Sequence, residues 1–357
     1  MTHEYKIATI PGDGIGTEVV PAAQQVLELA GARREFKLAW DEFEWGCEYY
    51  VRTGRMMPED GLQTLSTYDA IFLGAVGYPG VPDHVSLWGL LIPIRRHFEQ
   101  YVNLRPIKLL PGIASPLRGI EPGDIDFVCI RENNEGEYSE IGGRIYRGSP
   151  HELAIQDAVF TRHGVERVLR YGFELARTRS GRLVSATKSN GIIHTMPFWD
   201  ELYESMSSDF EDVEARKIHV DALAALMVLK PESFDVVVAS NLFGDILTDL
   251  GAAVVGSIGI APSGNLNPER AHPSMFEPVH GSAPDIAGTG KANPIGQVWA
   301  GAMMLDHLGQ HQAAADVMRA VEHALASDKT RTQDLGGTAT TRECAAAMLS
   351  ALSSMEL

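Results

Sequence analysis

Phe234-Asp-Val-Val-Val-Ala-Ser240-Asn-Leu-Phe-Gly-Asp245-Ile-Leu-Thr-Asp249-Leu reads as a buried strand running into an amphipathic helix. The β-branched run supplies the strand, Gly244 is expected to punctuate its end, and Asp245 is expected to open the helix. Asp245 and Asp249 then stand four residues apart on one helix face, so both carboxylates point at one spot. Left alone they repel each other; a divalent cation turns the arrangement into an asset. Oxygen-only ligation selects a hard ion, Mg²⁺ or Mn²⁺. The plainer reading is two acids drawn to the positive end of a helix dipole. The pairing, beside a strand end and a glycine, favours metal.

Working outward, the same design recurs. Lys6–Ile10 reads as a first strand, and Thr17–Ala30 follows as a helix with Val19, Val20, Ala23, Val26, Leu27 and Ala30 on one face. Asp69–Gly77, Leu183–Lys188 and Asp235–Ser240 read as further strands, and Gly164–Arg177 as a helix. Alternating strands and helices predict an α/β fold with a mostly parallel sheet. Ile258–Pro268, rich in glycine and proline, reads as a long surface loop, and Glu277–Gly288 as a second. The turn Pro11-Gly-Asp-Gly-Ile-Gly16 departs from the dinucleotide fingerprint Gly-x-Gly-x-x-Gly, because Thr17 holds the place of the third glycine. It reads as a tight strand-to-helix turn.

The 357 residues are 45% hydrophobic, enough for two packed lobes or one large sheet. A net charge of −17 argues against a nucleic-acid partner, whose phosphates require Lys and Arg. An anionic substrate needs a local basic pocket instead. Cys47, Cys129 and Cys344 are too few and too scattered for a disulfide framework or a zinc site, and Cys129 reads as core. No leader pattern and no apolar run of membrane-spanning length is evident, so a soluble, reducing, cytoplasmic setting is expected.

Three arginines answer the basic-pocket requirement. Arg95 follows Leu91-Ile-Pro-Ile, Arg105 lies in Asn103-Leu-Arg-Pro, and Arg131 ends the strand Ile125–Ile130. Singly each reads as well as a surface ion pair, but guanidinium forks match carboxylates bidentately. Charged hydrogen bonds of about 1.5–3 kcal/mol each suffice to hold a small dicarboxylate. Tyr138 is either a turn tyrosine or a general acid. Lys188, at a strand's carboxyl end where α/β proteins place ligands, is either a loop lysine or a base whose proton affinity neighbouring cations lower. Asp221 fits a helix cap as well as a ligand.

Taken in order, Pro11-Gly-Asp-Gly-Ile-Gly, Asn103-Leu-Arg-Pro, Arg131-Glu-Asn, Thr187-Lys-Ser-Asn, Asn241–Asp249, His280-Gly-Ser-Ala-Pro-Asp and Ala292-Asn-Pro resemble the decarboxylating dehydrogenases of isocitrate and 3-isopropylmalate along most of the chain. Trp45–Tyr50, Pro82–Gly89 and Asn133–Ser139 are most similar to the tartrate and D-malate branch. The resemblance implies a two-lobed fold with a large mixed, mostly parallel sheet that is not a Rossmann fold. It assigns residues 1–102 plus 256–357 to a cofactor lobe and 103–255 to a substrate, metal and dimerisation lobe. It makes Asp221, Asp245 and Asp249 ligands of Mn²⁺ or Mg²⁺, and Arg95, Arg105, Arg131 and Asn190 substrate-binding. Lys188 becomes the base for the hydroxyl proton and Tyr138 the acid that protonates carbon after CO₂ leaves. Lys188 and Asp221 are lent by a neighbouring subunit, so a homodimer with shared active sites is implied. NAD is expected along Gly74, Ala75, His280, Gly281, Ser282, Ala283, Asp285, Ile286 and Asn293, with Asp285 repelling the 2′-phosphate of NADP. Trp88, near the place where isopropylmalate enzymes carry an acid, narrows the pocket toward D-malate or tartrate. The alternatives are 3-isopropylmalate as substrate or, in another class, a metal-dependent hydrolase.

Overall fold

The structure is a computed structural model and describes residues 3–356. Its strands, in chain order, are β1 (His3–Gly12), β2 (Phe36–Glu42), β3 (Ala70–Ala75), β4 (Val102–Lys108), β5 (Asp126–Glu132), β6 (Gly142–Ile145), β7 (Leu153–Gln156), β8 (Arg182–Thr187), β9 (Glu214–His219), β10 (Val236–Ala239), β11 (Pro262–Leu266) and β12 (Ser274–Pro278). The chain forms two compact units. One comprises residues up to Gln100, Lys108–Ile125 and everything from Ala252 on; the other comprises Tyr101–Ile107 and Asp126–Gly251. The expected division at 102/103 and 255/256 differs from this mainly in residues 108–125. That excursion is closed on itself by Leu109 N–H bonding Ile125 O, and the Ser115 hydroxyl ties it to the first unit by bonding Val254 O.

In the first unit the strands run in the order β2-β1-β3-β12-β11. All neighbouring pairs are parallel except β11 with β12. The helix Gly16–Arg33 lays the anticipated stripe against this sheet, with Val19, Val20, Ala23, Val26, Leu27 and Ala30 all buried. Ile258–Pro268 corrects the expectation of a surface loop: it contains a short 3₁₀ turn and then β11, every residue of which is buried. Its Gly264 leaves a Cβ only 3.2 Å from Leu266 and Met303, so close packing rather than a turn explains the glycine.

In the second unit the order is β4-β5-β10-β8-β9, with β5, β10, β8 and β9 mutually parallel. β5, β8 and β10 are almost wholly buried, the near-continuous apolar run of strands covered on both faces. The helix Arg162–Thr178 buries Val165, Val168, Leu169, Phe173 and Ala176, and its first turn is capped by the Thr161 hydroxyl accepting from Gly164 N–H. β6 and β7 form a separate antiparallel hairpin whose residues are all exposed. The fold is α/β with a mixed, mostly parallel sheet. Among the described residues no helix is long and apolar enough to cross a membrane.

The turn Gly12–Gly16 decides how the first strand meets its neighbours. Gly12 has φ +72°, and a Cβ there would lie 2.1 Å from Ala75 O. Backbone strain and a clash with rigid main chain both follow from adding a methyl group. Gly12→Ala should therefore lower stability by about 3 kcal/mol, read as a drop in the thermal unfolding midpoint; an unchanged midpoint would mean the turn yields freely.

Candidate active site

The carboxyl ends of the parallel strands in the second unit gather the charged residues. Arg131 lies at the end of β5, opposite Ala239 of β10. The helix Asn241–Val254 starts two residues after Ala239, four earlier than expected, so Asp245 sits in its second turn. Gly244 is inside this helix rather than at the strand end. A Cβ on it would come 2.6 Å from Cβ of Arg131, so the glycine lets the helix close onto the arginine.

Arg131 is buried and directs Nε and Nη2 to the Asn241 Oδ1 at 3.0 and 2.7 Å, while Nη1 pairs with Asp245 Oδ1. The Tyr138 hydroxyl donates to the other oxygen of Asp245 at 3.0 Å. Arg105, also buried, donates to the Thr248 hydroxyl at 2.6 Å and stands 3.5 Å from Asp245 and 3.8 Å from Asp249. Arg105, Arg131, Tyr138, Asp245 and Asp249 thus form one cluster in one unit. Asn241 and Thr248 were not singled out in the sequence, although the first is four residues before Asp245 and the second three after it, within the same helical face.

Partial burial and the charge of Asp245 raise the proton affinity of Asp249, while Arg105 and Arg131 oppose them. Two carboxylates on one helix face, presenting only oxygen, suit a hard divalent cation. Asp245 and Asp249 therefore fit the metal that the sequence implied. Arg105 also keeps a buried Nε without a hydrogen-bond partner, a donor available to an anion.

Lys188 and Asp221 form a second group. Parallel β8 and β9 align Thr187 with His219, which brings the next residues together, and Lys188 Nζ donates to Asp221 Oδ1 at 2.9 Å. That hydrogen bond holds the exposed Asp221 carboxyl below its ordinary range. Asn190 is exposed in the turn after Lys188. Asp221 does not join Asp245 and Asp249 in the same chain. Among the described residues no group of three or more His, Cys, Asp or Glu is placed to hold a metal ion.

The remaining candidates belong to the first unit. Buried Arg95 pairs with buried Glu277 at 2.8 Å, and Glu277 also accepts from Asn265 at 2.8 Å. Glu277 carries no sequence signal, because the strand of its partner Asn265 has the proline and glycine composition of a loop. Gly74 and Ala75 end β3, and Ala75 O accepts from Asp13 N–H at 2.7 Å. The buried Asp13 carboxylate in turn accepts from the N–H groups of Cys47 and Gly77, another contact invisible in the sequence. Ser282 O accepts from Ile15 N–H, and Ala283 takes the strained φ of +40°. His280 is held neutral by burial, below its ordinary range, with Nε2 lacking a partner. Gly281 has open space where a Cβ would be, Asp285 is exposed and Ile286 half-buried. Asn293 bonds Asp334 at 3.0 Å and Ile295 N–H at 2.9 Å. An unpartnered imidazole nitrogen, an exposed acid and open glycines along one loop fit a dinucleotide better than a packed core. Trp88 lies in a π-helical turn, Leu87–Leu91, with the Arg96 guanidinium 5.1 Å above its ring.

Acids on one helix, arginines on two strands and a tyrosine on a loop thus meet beside the parallel sheet, as the sequence resemblance implies. Residues 6–348 match the isocitrate/isopropylmalate dehydrogenase family, and the chain belongs to it. It is 56% identical to the probable tartrate dehydrogenase/decarboxylase of Bacillus subtilis (strain 168), over 95% of this chain and 96% of that protein. It is 55% identical to the D-malate dehydrogenase [decarboxylating] of Escherichia coli (strain K12), over 98% of both. The crystal structure of isocitrate dehydrogenase from Methylococcus capsulatus superposes with a TM-score of 0.88 at 33% identity, covering 98% of this chain and 99% of that one.

Beside Arg131, Glu132 is fully buried and its carboxyl is pushed up to about 7 by burial, against the opposing N–H bonds from Asn134 and Glu135. The folded value lies above the ordinary 4.5, so this group's contribution to stability is full below about pH 4.5 and is lost as pH rises through about 7. Glu132→Gln should remove that slope, worth about 3 kcal/mol across the window. Urea unfolding at a series of pH values tests it; parallel pH profiles for the two proteins would refute it.

Proposed function

We propose that the protein is an NAD- and Mn²⁺- or Mg²⁺-dependent dehydrogenase of D-malate or tartrate that decarboxylates at least D-malate. The observation that carries the reading is the Tyr138–Asp245 hydrogen bond inside the Arg105, Arg131 and Asp249 cluster, where a phenol, two guanidinium groups and two carboxylates meet; that set supports a proton donor, carboxylate-binding cations and hard-ion ligands in one site. The two relatives at 55–56% identity carry those activities in their names.

When bound, the dinucleotide would supply the hydride acceptor, and the cation, held by Asp245 and Asp249, would supply positive charge that draws electrons from the reacting carbons. Arg105 and Arg131, with Arg95 on the resemblance, grip the carboxylates and orient C2. Lys188, in its neutral form, takes the hydroxyl proton, and the Asp221 carboxylate balances the ammonium that results. Tyr138 gives a proton to C3 once CO₂ has left. Gly74, Ala75 and the 280–293 loop bind NAD, with Asp285 on the adenosine ribose; an acid there repels a 2′-phosphate. On the resemblance, the bulk of Trp88 favours a substrate with hydrogen or hydroxyl at C3 over one with an isopropyl group.

The third acid, Asp221, lies apart with Lys188, which favours a homodimer in which each chain lends these two residues to its partner. The exposed apolar side chains of Ile141, Ile145, Leu153 and Ile155 on the hairpin, with Leu229 and Ile246, support such an interface. Parallel assays of NADH formation with D-malate, tartrates and 3-isopropylmalate test the substrate; preference for isopropylmalate would overturn it, and no NADH from any of them would favour the hydrolase.

Asp249→Asn should raise the Mn²⁺ concentration for half-maximal rate at least about tenfold while changing stability by under about 0.5 kcal/mol, because the side chain is largely exposed. An unaltered rate at limiting Mn²⁺ would remove Asp249 from the metal site. Lys188→Ala and Asp245→Asn, each inactive, should regain about a quarter of native activity when unfolded and refolded together, since each mixed dimer rebuilds one intact site. No recovery, with mixed dimers present, would mean that each chain holds its own full set.

A further inference from the structure

Tyr138 stands in an irregular segment, residues 133–141, yet its hydroxyl meets Asp245 at 3.0 Å. A side chain on a loop keeps that geometry only if the loop is bolted to the helix that carries the carboxylate. The bolts are on the page. Asn241 Nδ2 donates to Glu135 O at 3.0 Å, and Gly136 exchanges backbone hydrogen bonds with Val159 at 2.7 and 3.0 Å. Glu135 itself looks away and accepts from the Thr161 N–H and hydroxyl. Glu137, the residue next to the tyrosine, reaches the same helix as Tyr138. One of its oxygens accepts from the Ser240 hydroxyl and the other from Leu242 N–H, both at 3.0 Å.

We propose that Glu137 is a positioning residue that fixes the Tyr138 phenol on Asp245 by clamping the tyrosine-bearing loop to the start of the helix Asn241–Val254. This rests on the reading of Tyr138 as the acid. Leu242 N–H is one of the first four helical amides, which have no partner inside the helix. Asp245 lies about one turn, roughly 5 Å, further along. Neighbouring residues of the loop thus grip one rigid helix at two points a turn apart. A single contact leaves a hinge about which the phenol swings; two contacts set its direction. The negative charge also sits at the favourable end of the helix dipole. Both oxygens of Glu137 act only as acceptors; glutamine can keep Leu242 N–H with its carbonyl and turn its amide onto the Ser240 hydroxyl, which then accepts, so the exchange reverses one contact and removes the charge that strengthens both.

The test labels the whole enzyme with 3-fluorotyrosine and reads the ¹⁹F spectrum of its ten tyrosines, with Tyr138→Phe assigning the Tyr138 line. In Glu137→Gln that line should move while the other nine stay. Turnover should fall about tenfold with KM for the dinucleotide within about twofold, and the same change should cost under about twofold when Tyr138 is already Phe. Ser240→Ala, which removes one clamp bond and keeps the charge, should shift the line less and in the same direction; it carries the test if Glu137→Gln folds poorly. A Tyr138 line unmoved in both variants, or an undiminished tenfold loss in the Phe background, would reduce Glu137 to a helix cap. If Tyr138→Phe alone keeps native turnover while the line still moves, the acid role of Tyr138 fails and the clamp stands.

Discussion

Charge compensation between two buried guanidinium groups and two carboxylates one helical turn apart underlies everything else in the second unit. Asp245 and Asp249 on one face are repulsive by themselves, and Arg131 and Arg105 make the arrangement tolerable. Removing Asp245 would leave the buried Arg131 guanidinium without its charge partner, which costs more than the pair contributes, whereas Asp249 is too exposed for the same effect. The packing is shaped around this requirement. Gly244 removes a side chain so that the helix approaches Arg131, and Asn241 takes two of its donors.

A cluster so balanced is ready for ligands rather than inert. A divalent cation adds positive charge where two carboxylates converge, and a dicarboxylate adds negative charge where two arginines do, so each favours the other. On the proposed function, this reciprocity is what lets a chain of net charge −17 hold an anionic substrate. The acidic surface repels polyanions, and a few desolvated arginines act locally. Binding of small acids then depends on the site and not on the whole protein's field.

The long parallel strands, the amphipathic helices and the aspartate pair were legible because each leaves a periodic trace: β-branched runs, a 3.6-residue stripe, an i, i+4 spacing. Ile258–Pro268 was not, because its proline and glycine mimic loop composition although they serve a buried strand edge. With β11 missed, the Arg95–Glu277–Asn265 network was missed too, since it joins residues that only that antiparallel pairing brings together. Likewise, Gly244 was read as punctuation when its role is close approach, and the helix start was placed four residues late.

From the residues alone came the kind of chemistry: hard-ion ligands at helical spacing, cations at strand ends, and a tyrosine and a lysine beside them. Spacing within one element is a local property, so one-dimensional order is enough to state it. Which of those groups touch was decided only by the tertiary fold. It sets Tyr138 on Asp245 and Lys188 on Asp221, and within one chain it keeps the third aspartate out of the group formed by the other two. Strand register and helix packing act across 33 residues of sequence in one contact and 107 in the other, distances over which composition and periodicity carry no information.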